Sequence, residues 1–357
     1  MADVTAGLVC GHHHLYSTLA RGMPAPPATP RRFVEILEQV WWRLDAALDL
    51  EMLRWSALLG ATEALMSGTT CVIDHHESPH AIEGSLTVIA DACAEVGVRV
   101  NVAYGVTDRW GDDGRLRAGD AVPPPAMTEG ARRGLVEGER FLRSGGRGMI
   151  GVHAAFTCSS ATLEAAAGLA EDLGTGVHIH VAEGEVDAAA GARLAPLARD
   201  DWLLVHCVHL DRELPGTIAH NPRSNMNNAV GYARPASRPN PVVLGTDGMG
   251  ADMLEEARLA FARLREDDPT AEPDTAWGWL EQGRSFFPEA GDDRVTWSYD
   301  HVDSPWHTAY TPGVRAIRVE AAGEVLLDDG RPTRVDVDEV RAKAAEQARR
   351  LHARLAA

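Results

Sequence analysis

The sequence predicts an α/β fold: a closed, TIM-like (β/α)8 barrel with a small antiparallel appendage built from the C-terminal segment. Eight short apolar runs recur along the chain, at residues 7–10, 70–73, 98–103, 149–152, 177–179, 203–205, 217–219 and 242–244. Ala- and Leu-rich stretches of helical texture lie between most of them, at 31–66, 82–96, 128–143 and 160–173, with 253–265 after the last. Strands alternating with helices make parallel β/α units, and eight of them favour a closed barrel over an open sheet. The polar residues follow the apolar part of each run, at the C-terminal rim where such barrels keep their chemistry.

From about residue 295 the texture changes. RAIRVEAAGEVLLDDGRPTRVD alternates apolar and polar residues, with DDG as a turn, and predicts small antiparallel strands. Residues 336–355 form a charged stretch with apolar positions at helical spacing, a surface helix. The expected division is a barrel over 7–290, the appendage over 291–335 and a C-terminal helix over 336–357. Two loops stay unassigned, a Gly- and Pro-rich one at 109–127 and an Asp- and Pro-rich one at 267–274.

Composition narrows the function. With 357 residues, 45% hydrophobic, the chain can bury a large core, and it shows neither a run long enough to cross a bilayer nor an apolar leader. A formal charge of −18 argues against nucleic acid or an anionic membrane as partner, since both need a basic face. Five scattered cysteines without CxxC spacing read as reduced thiols of a cytoplasmic protein.

The rim residues suggest a metal. His12 and His14 stand two positions apart on an extended segment, so their imidazoles share a face. A third His and a carboxylate, from VHIHVAE and LGTDG, would complete a nitrogen and oxygen shell suited to zinc or iron. Lysine occurs only at Lys343, so no carbamylated lysine can bridge two ions in the central segments, which favours a single cation. Glu183 follows His180 by three residues, and a partly desolvated Glu can ferry protons; an exposed glutamate near a helix start is the plainer reading. His206 could hydrogen-bond the attacking water, steady an oxyanion or bind a second metal.

In these residues the chain resembles the amidohydrolase superfamily, in its aminohydrolase/chlorohydrolase branch and near the SsnA-like aminohydrolases. The resemblance rests on GLVCGHHHLYSTLARG, ILEQVWWRLDAALD, GTTCVIDHHESP, MIGVHAAFT, GVHIHVAEGEVD, LLVHCVHLD, AHNPRSNMNNAVGYA and LGTDGMGADM, in order over residues 7–255. It implies one divalent cation, zinc first and iron second, held by His12, His14, His180 and Asp247. His180 rather than His178 follows from the spacing to Glu183 in the resembling motif. The implied reaction is hydrolysis by metal-activated water, with Asp247, Glu183 and His206 as catalytic groups. Deamination of an N-heterocyclic or amidine-like small molecule is the first expectation. Cyclic-amide ring-opening, dechlorination and a non-catalytic metal-stapled binding relative are the alternatives.

His153 resembles a substrate-contacting His, and His75, His76, Arg109 and Asn225 are further candidates for substrate contact, each with a structural alternative. Trp41 and Trp42 are expected in the core or at an interface, and His209 in a structural role. The resemblance implies a homodimer or larger assembly. It also implies a β-sandwich as the appendage, reduced here because only eleven residues precede His12. The helices after Glu183 and after the last barrel strand are expected to be short.

Overall fold

The computed structural model describes residues 3–111, 114–117 and 124–356; part of the unassigned loop at 109–127 lies outside them. Among the described residues, eight parallel strands follow one another: β2 (Leu8–His13), β3 (Thr69–His76), β4 (Arg99–Tyr104), β5 (Ile150–Ala154), β6 (Val177–Val181), β7 (Leu203–His206), β8 (Thr217–His220) and β9 (Val242–Leu244), after a short β1 (Val4–Thr5). Hydrogen-bonded ladders join β2 through β4 and β5 through β9. Bridges Val102–Gly148 and Val106–Val152 stitch the two groups together, and His13–Asp247 joins the last strand to the first. The barrel is closed.

Period-two alternation divides the side chains. Val9, Cys71, Ile73, Ala103, Met149, Leu203, Val205, Ala219 and Val243 pack with Phe287 in one cluster, the barrel interior. Their neighbours Leu8, Cys10, Val72, Val102, Ile179, Leu204 and Ile218 join the larger core under the helices. Most strands run past the apolar segments that predicted them, β2 and β3 furthest: β2 continues to His13 and β3 to His76, with every residue buried. Apolar patterning ends where the ligating and hydrogen-bonding tips begin, although the ladder does not.

At the seam between the two strand groups the backbones come very close. A Cβ on Gly151 would fall 2.2 Å from the Tyr104 carbonyl oxygen, which the ladder holds in place. Gly151→Ala is therefore expected to cost about 3 kcal/mol, the upper range for overpacking, as a drop in the denaturant midpoint at unchanged slope.

The expected helix at 31–66 is broken. It divides into Phe33–Ile36, a π-helical turn Leu37–Trp41, Trp42–Ala47 and a long helix Leu50–Met66. The break comes from Asp49, extended in backbone, whose carboxylate accepts from the Met52 N–H at 2.9 Å and caps the new helix. The helix after Glu183 is the five-residue Ala190–Leu194, but that after β9 runs fifteen residues, Met253–Asp267, so the second shortening does not occur.

The reduced appendage is one antiparallel sheet among the described residues. β10 (Arg294–Trp297), β11 (Ala316–Ala321), β12 (Glu324–Asp328) and β13 (Arg331–Pro332) align in sequence order, and β1 pairs with β10 at the edge. Its hairpins turn at Ala322–Gly323 and Asp329–Gly330, all four with positive φ, the geometry of type I′ turns. DDG was legible in the sequence; the Ala-Gly turn was not. Trp297 anchors the sheet, 1% exposed, its indole N–H donating to Thr5 Oγ1 at 2.9 Å. The C-terminal helix Val337–Ala356 packs along Leu50–Met66. No helix among the described residues is long and apolar enough to cross a membrane.

Candidate active site

Side chains from four strand tips converge at the C-terminal rim. Ligand atoms of His12, His14, His180 and Asp247 all lie within 4.8 Å of one another, and so do those of Glu183, His206 and Asp247. His12 lies on β2 and His14 directly follows it, His180 lies on β6, His206 ends β7, and Asp247 follows β9.

Hydrogen bonds to the outer ring nitrogens set the tautomers. His14 Nδ1–H donates to the His75 carbonyl at 2.5 Å and His180 Nδ1–H to the His153 carbonyl at 2.7 Å. A neutral ring that donates through Nδ1 keeps its lone pair on Nε2, so the His14 and His180 lone pairs face each other across 3.3 Å. His12 Nε2 is buried with no hydrogen-bond partner among the described residues, 3.6 Å from Asp247 Oδ1. Asp247 Oδ1 lies 2.9 Å from His14 Nε2. Converging lone pairs beside a carboxylate repel one another unless a cation or a proton sits among them. Three imidazole nitrogens and one carboxylate oxygen fit a borderline divalent metal such as zinc or iron.

Burial holds His12 and His180 well below the usual imidazole range, in the neutral form that binds metals. Burial opposes charge on Asp247 too, but contacts from His12 and His14 outweigh it and hold the carboxyl well below its ordinary range. The same contact with Asp247 overcomes burial at His14 and raises it to about 9. Glu183 is pushed up to about 7 by burial, against the opposing influence of His206, so it can exchange a proton near neutrality. Its Oε2 lies 3.4 Å from His206 Nε2.

Backbone strain marks the same rim. Ala182, His206, Cys207 and Asp247 take positive φ, between 48° and 70°, four of the nine non-glycine residues that do so among those described. Such conformations persist where the surrounding structure fixes them and cluster at functional sites.

A cavity of about 630 Å³, its mouth included, opens onto these groups. Its walls are aromatic, from Tyr16, Phe33, Trp41, Trp42 and Phe156. His153 lines it as expected of a contact residue. Four other expected contacts do not line it. His75 lies beneath the centre with Nε2 3.2 Å from the Val152 carbonyl, and His76 spends Nε2 on Ser78 Oγ at 2.7 Å. Arg109 is buried behind the wall, binding Asp45 Oδ2 at 2.6 Å and the Glu77 carboxylate, with Trp42 across its face. Asn225 Oδ1 faces His206 Nδ1 at 2.8 Å.

Trp42 belongs to a core cluster with Val34, Leu37 and Trp110, and Trp41 packs against it, as expected; both also line the cavity. Asp45, Glu77, Asp187 and Asn228 line it as well. Asp45 falls three residues after Trp42 in WWRLDAALD, a helical spacing that could have revealed it. His209 Nε2–H donates to the Val230 carbonyl at 2.8 Å and its backbone N–H to the Ala182 carbonyl at 2.8 Å, structural contacts.

Several buried carboxyls shape pH dependence. Burial raises Asp74, Asp187 and Glu256 to about 7 each, offset in part by backbone N–H groups at the two aspartates and above all by the Arg223 guanidinium at Glu256. The folded protein thus holds protons that the unfolded chain, with carboxyls near 4, has released. The stability these groups carry is complete below about pH 4 and is lost as pH rises through about 7. Buried histidines held below the ordinary imidazole range, His12, His75, His76 and His180 among them, act in the opposite sense, so the expected result is a difference: Asp74→Asn, which keeps the acceptor for the Leu15 N–H, should gain in denaturant midpoint over the native protein as pH rises from about 4 to about 7.

Comparison with known proteins agrees with this geometry. A model of the Amidohydrolase family matches residues 4–276. The 5′-deoxyadenosine deaminase of Methanopyrus kandleri is 29% identical over 98% of this chain and 86% of that protein. A 5-methylthioadenosine/S-adenosylhomocysteine deaminase of Desulforudis audaxviator is 30% identical over 75% of this chain and 64% of its own length. Among solved structures, an adenosine deaminase from Xanthomonas campestris with bound zinc superimposes with a TM-score of 0.79 at 23% identity, over 99% of this chain and 86% of that one. An atrazine chlorohydrolase from Arthrobacter aurescens complexed with zinc gives 0.75 at 21% identity, over 97% and 88%. At these identities the two structures speak for the fold.

Proposed function

The chain belongs to the amidohydrolase family, and on that premise we propose that it deaminates an N-heterocyclic small molecule with the help of one divalent cation, zinc in the first instance, bound by His12, His14, His180 and Asp247. The observation that carries this reading is the convergence of those four ligand atoms beside Glu183 at the floor of an aromatic cavity. The relatives act, by name, on 5′-deoxyadenosine, methylthioadenosine and S-adenosylhomocysteine, which makes adenine nucleosides the first substrates to try. Planar rings suit walls of Trp41, Trp42, Phe33 and Phe156.

A bound cation supplies Lewis acidity, which in the best zinc sites brings the pKa of water from 15.7 to about 7. The remaining work falls to the chain. The Asp247 carboxylate takes the proton of the attacking water. Glu183, poised near neutrality, holds a proton at its Oε atoms and delivers it to the departing nitrogen. His206, with Nε2 facing both carboxylates at 3.4 and 3.9 Å, accepts a hydrogen bond from the attacking water and orients it. The aromatic walls hold the ring in place and exclude bulk water. The products are the keto heterocycle and ammonia.

We further read the protein as a cytoplasmic homo-oligomer; five unpaired, buried thiols suit a reducing compartment, and the family resemblance is what favours assembly. The test of function is a screen of metal-quantified protein against adenine nucleosides, other purines, pyrimidines, triazines and cyclic amides. Ammonia release from at least one heterocycle is expected. Chloride or ring-opened acid alone would replace deamination by a sister reaction, and metal-loaded protein inert towards all of them would overturn the enzyme reading.

A further inference from the structure

The helix Pro222–Asn227 is six residues long and touches no wall of the cavity except through Asn228 at its C-terminal cap. Its side chains nevertheless reach all three groups given proton-handling roles. Ser224 Oγ–H donates to Asp247 Oδ2. Asn225 Oδ1 accepts from His206 Nδ1–H at 2.8 Å. Asn228 Nδ2–H donates to Glu183 Oε1 at 3.4 Å and reaches Ser224 Oγ at the same distance. Ser224 and Asn228 stand four residues apart on one face, and Asn225 projects about 100° around the helix towards β7. All three are buried, at 2%, 2% and 7% exposure.

The helix is itself clamped. Pro222 presets its first turn. Glu256, fully buried on Met253–Asp267, accepts from the Arg223 backbone N–H at 3.0 Å and pairs with the Arg223 guanidinium at 3.2 Å. A helix that contributes nothing to the ligand set is thus anchored through Arg223 and bonded along its length to three reacting groups.

We infer that this short helix is a positioning unit, in which Ser224 aims the Asp247 carboxylate, Asn225 fixes the ring plane and tautomer of His206, and Asn228 aims Glu183. Asn225 is then a positioning residue rather than a substrate contact. Its acceptor oxygen keeps the proton on Nδ1 and turns the Nε2 lone pair towards Glu183 and Asp247. The 2.8 Å contact prevails over the 3.4 Å approach of Asn221 Nδ2 to the same nitrogen. The inference rests on the roles proposed for the three groups, but its geometry is independent of substrate.

The test pairs Asn225→Leu, similar in shape without an acceptor, with Asn225→Asp, which keeps one. For the leucine variant kcat is expected to fall about 10- to 100-fold, as for other groups that orient a reacting side chain, with KM and metal content unchanged; the aspartate variant recovers most of the loss. Histidine-selective ¹⁵N NMR of the metal-loaded protein should show His206 protonated at Nδ1, a preference lost in Asn225→Leu and kept in Asn225→Asp. Should the leucine variant fail to fold, Ser224→Ala and Asn228→Ala are expected to show the same separation of kcat from KM. An unchanged tautomer, or loss of kcat only in proportion to lost metal, would overturn the inference. The NMR measurement needs no substrate, so failure of the deamination screen and failure of the positioning unit remain distinct results.

Discussion

Glu183→Gln lowers kcat by about 10³-fold while metal content and fold stay as they were; loss of a positioned proton-transfer group typically removes roughly 10²- to 10⁴-fold. The variant is nearly isosteric and can still accept from Asn228, so it isolates the proton. Glu183 sits at the cavity floor with Oε2 3.4 Å from His206, and burial raises it to about 7. A glutamine there cannot carry a proton to a leaving nitrogen. A thousandfold loss corresponds to about 4 kcal/mol of transition-state stabilisation, well above what a surface glutamate contributes. Turnover and metal content measured on the same preparation check it. A protein that keeps its metal only as a staple would show no difference.

His14→Ala is expected to have the larger effect, removing both metal and turnover. Among the four ligands His14 stands nearest the Asp247 carboxylate, at 2.9 Å, and it faces His180 at 3.3 Å. Without its imidazole three donors remain, and the cation's contribution of several kcal/mol goes with it. At 1.36 kcal/mol per decade that is a loss on the order of 10³-fold or more. Its control is His76→Ala, a neighbouring buried imidazole whose Nε2 is committed to Ser78, which should retain metal. Metal analysis after dialysis, alongside kcat, separates the two variants.

Much of this architecture is written locally in the chain. Eight apolar runs reported eight barrel strands because each strand is buried on both faces. The His-x-His spacing reported a shared face because alternation is a property of extended backbone. The ends of strands were harder, since His12 and His13 in β2 and Asp74 to His76 in β3 continue the ladder with polar side chains. The break at Asp49 was legible in principle as an N-cap, but it lay within a long run of helix-formers. What could not be read were contacts made across elements. Arg109 has its charge taken up by Asp45 and Glu77 from two other segments. Asn225 turns towards His206 rather than the cavity. Trp41 and Trp42 line the cavity because His153 and Phe156, from a distant segment, meet them there. Each of these depends on where distant segments meet, which spacing along one segment does not encode.

Everything turns on His12, His14, His180 and Asp247 enclosing a common cation. Diffraction from the zinc-loaded protein at the zinc absorption edge tests it most directly. A single anomalous peak bounded by those four side chains, with Glu183 and His206 beside it, is the predicted result. A peak elsewhere, or none among them in protein that carries a full equivalent of zinc, would contradict it.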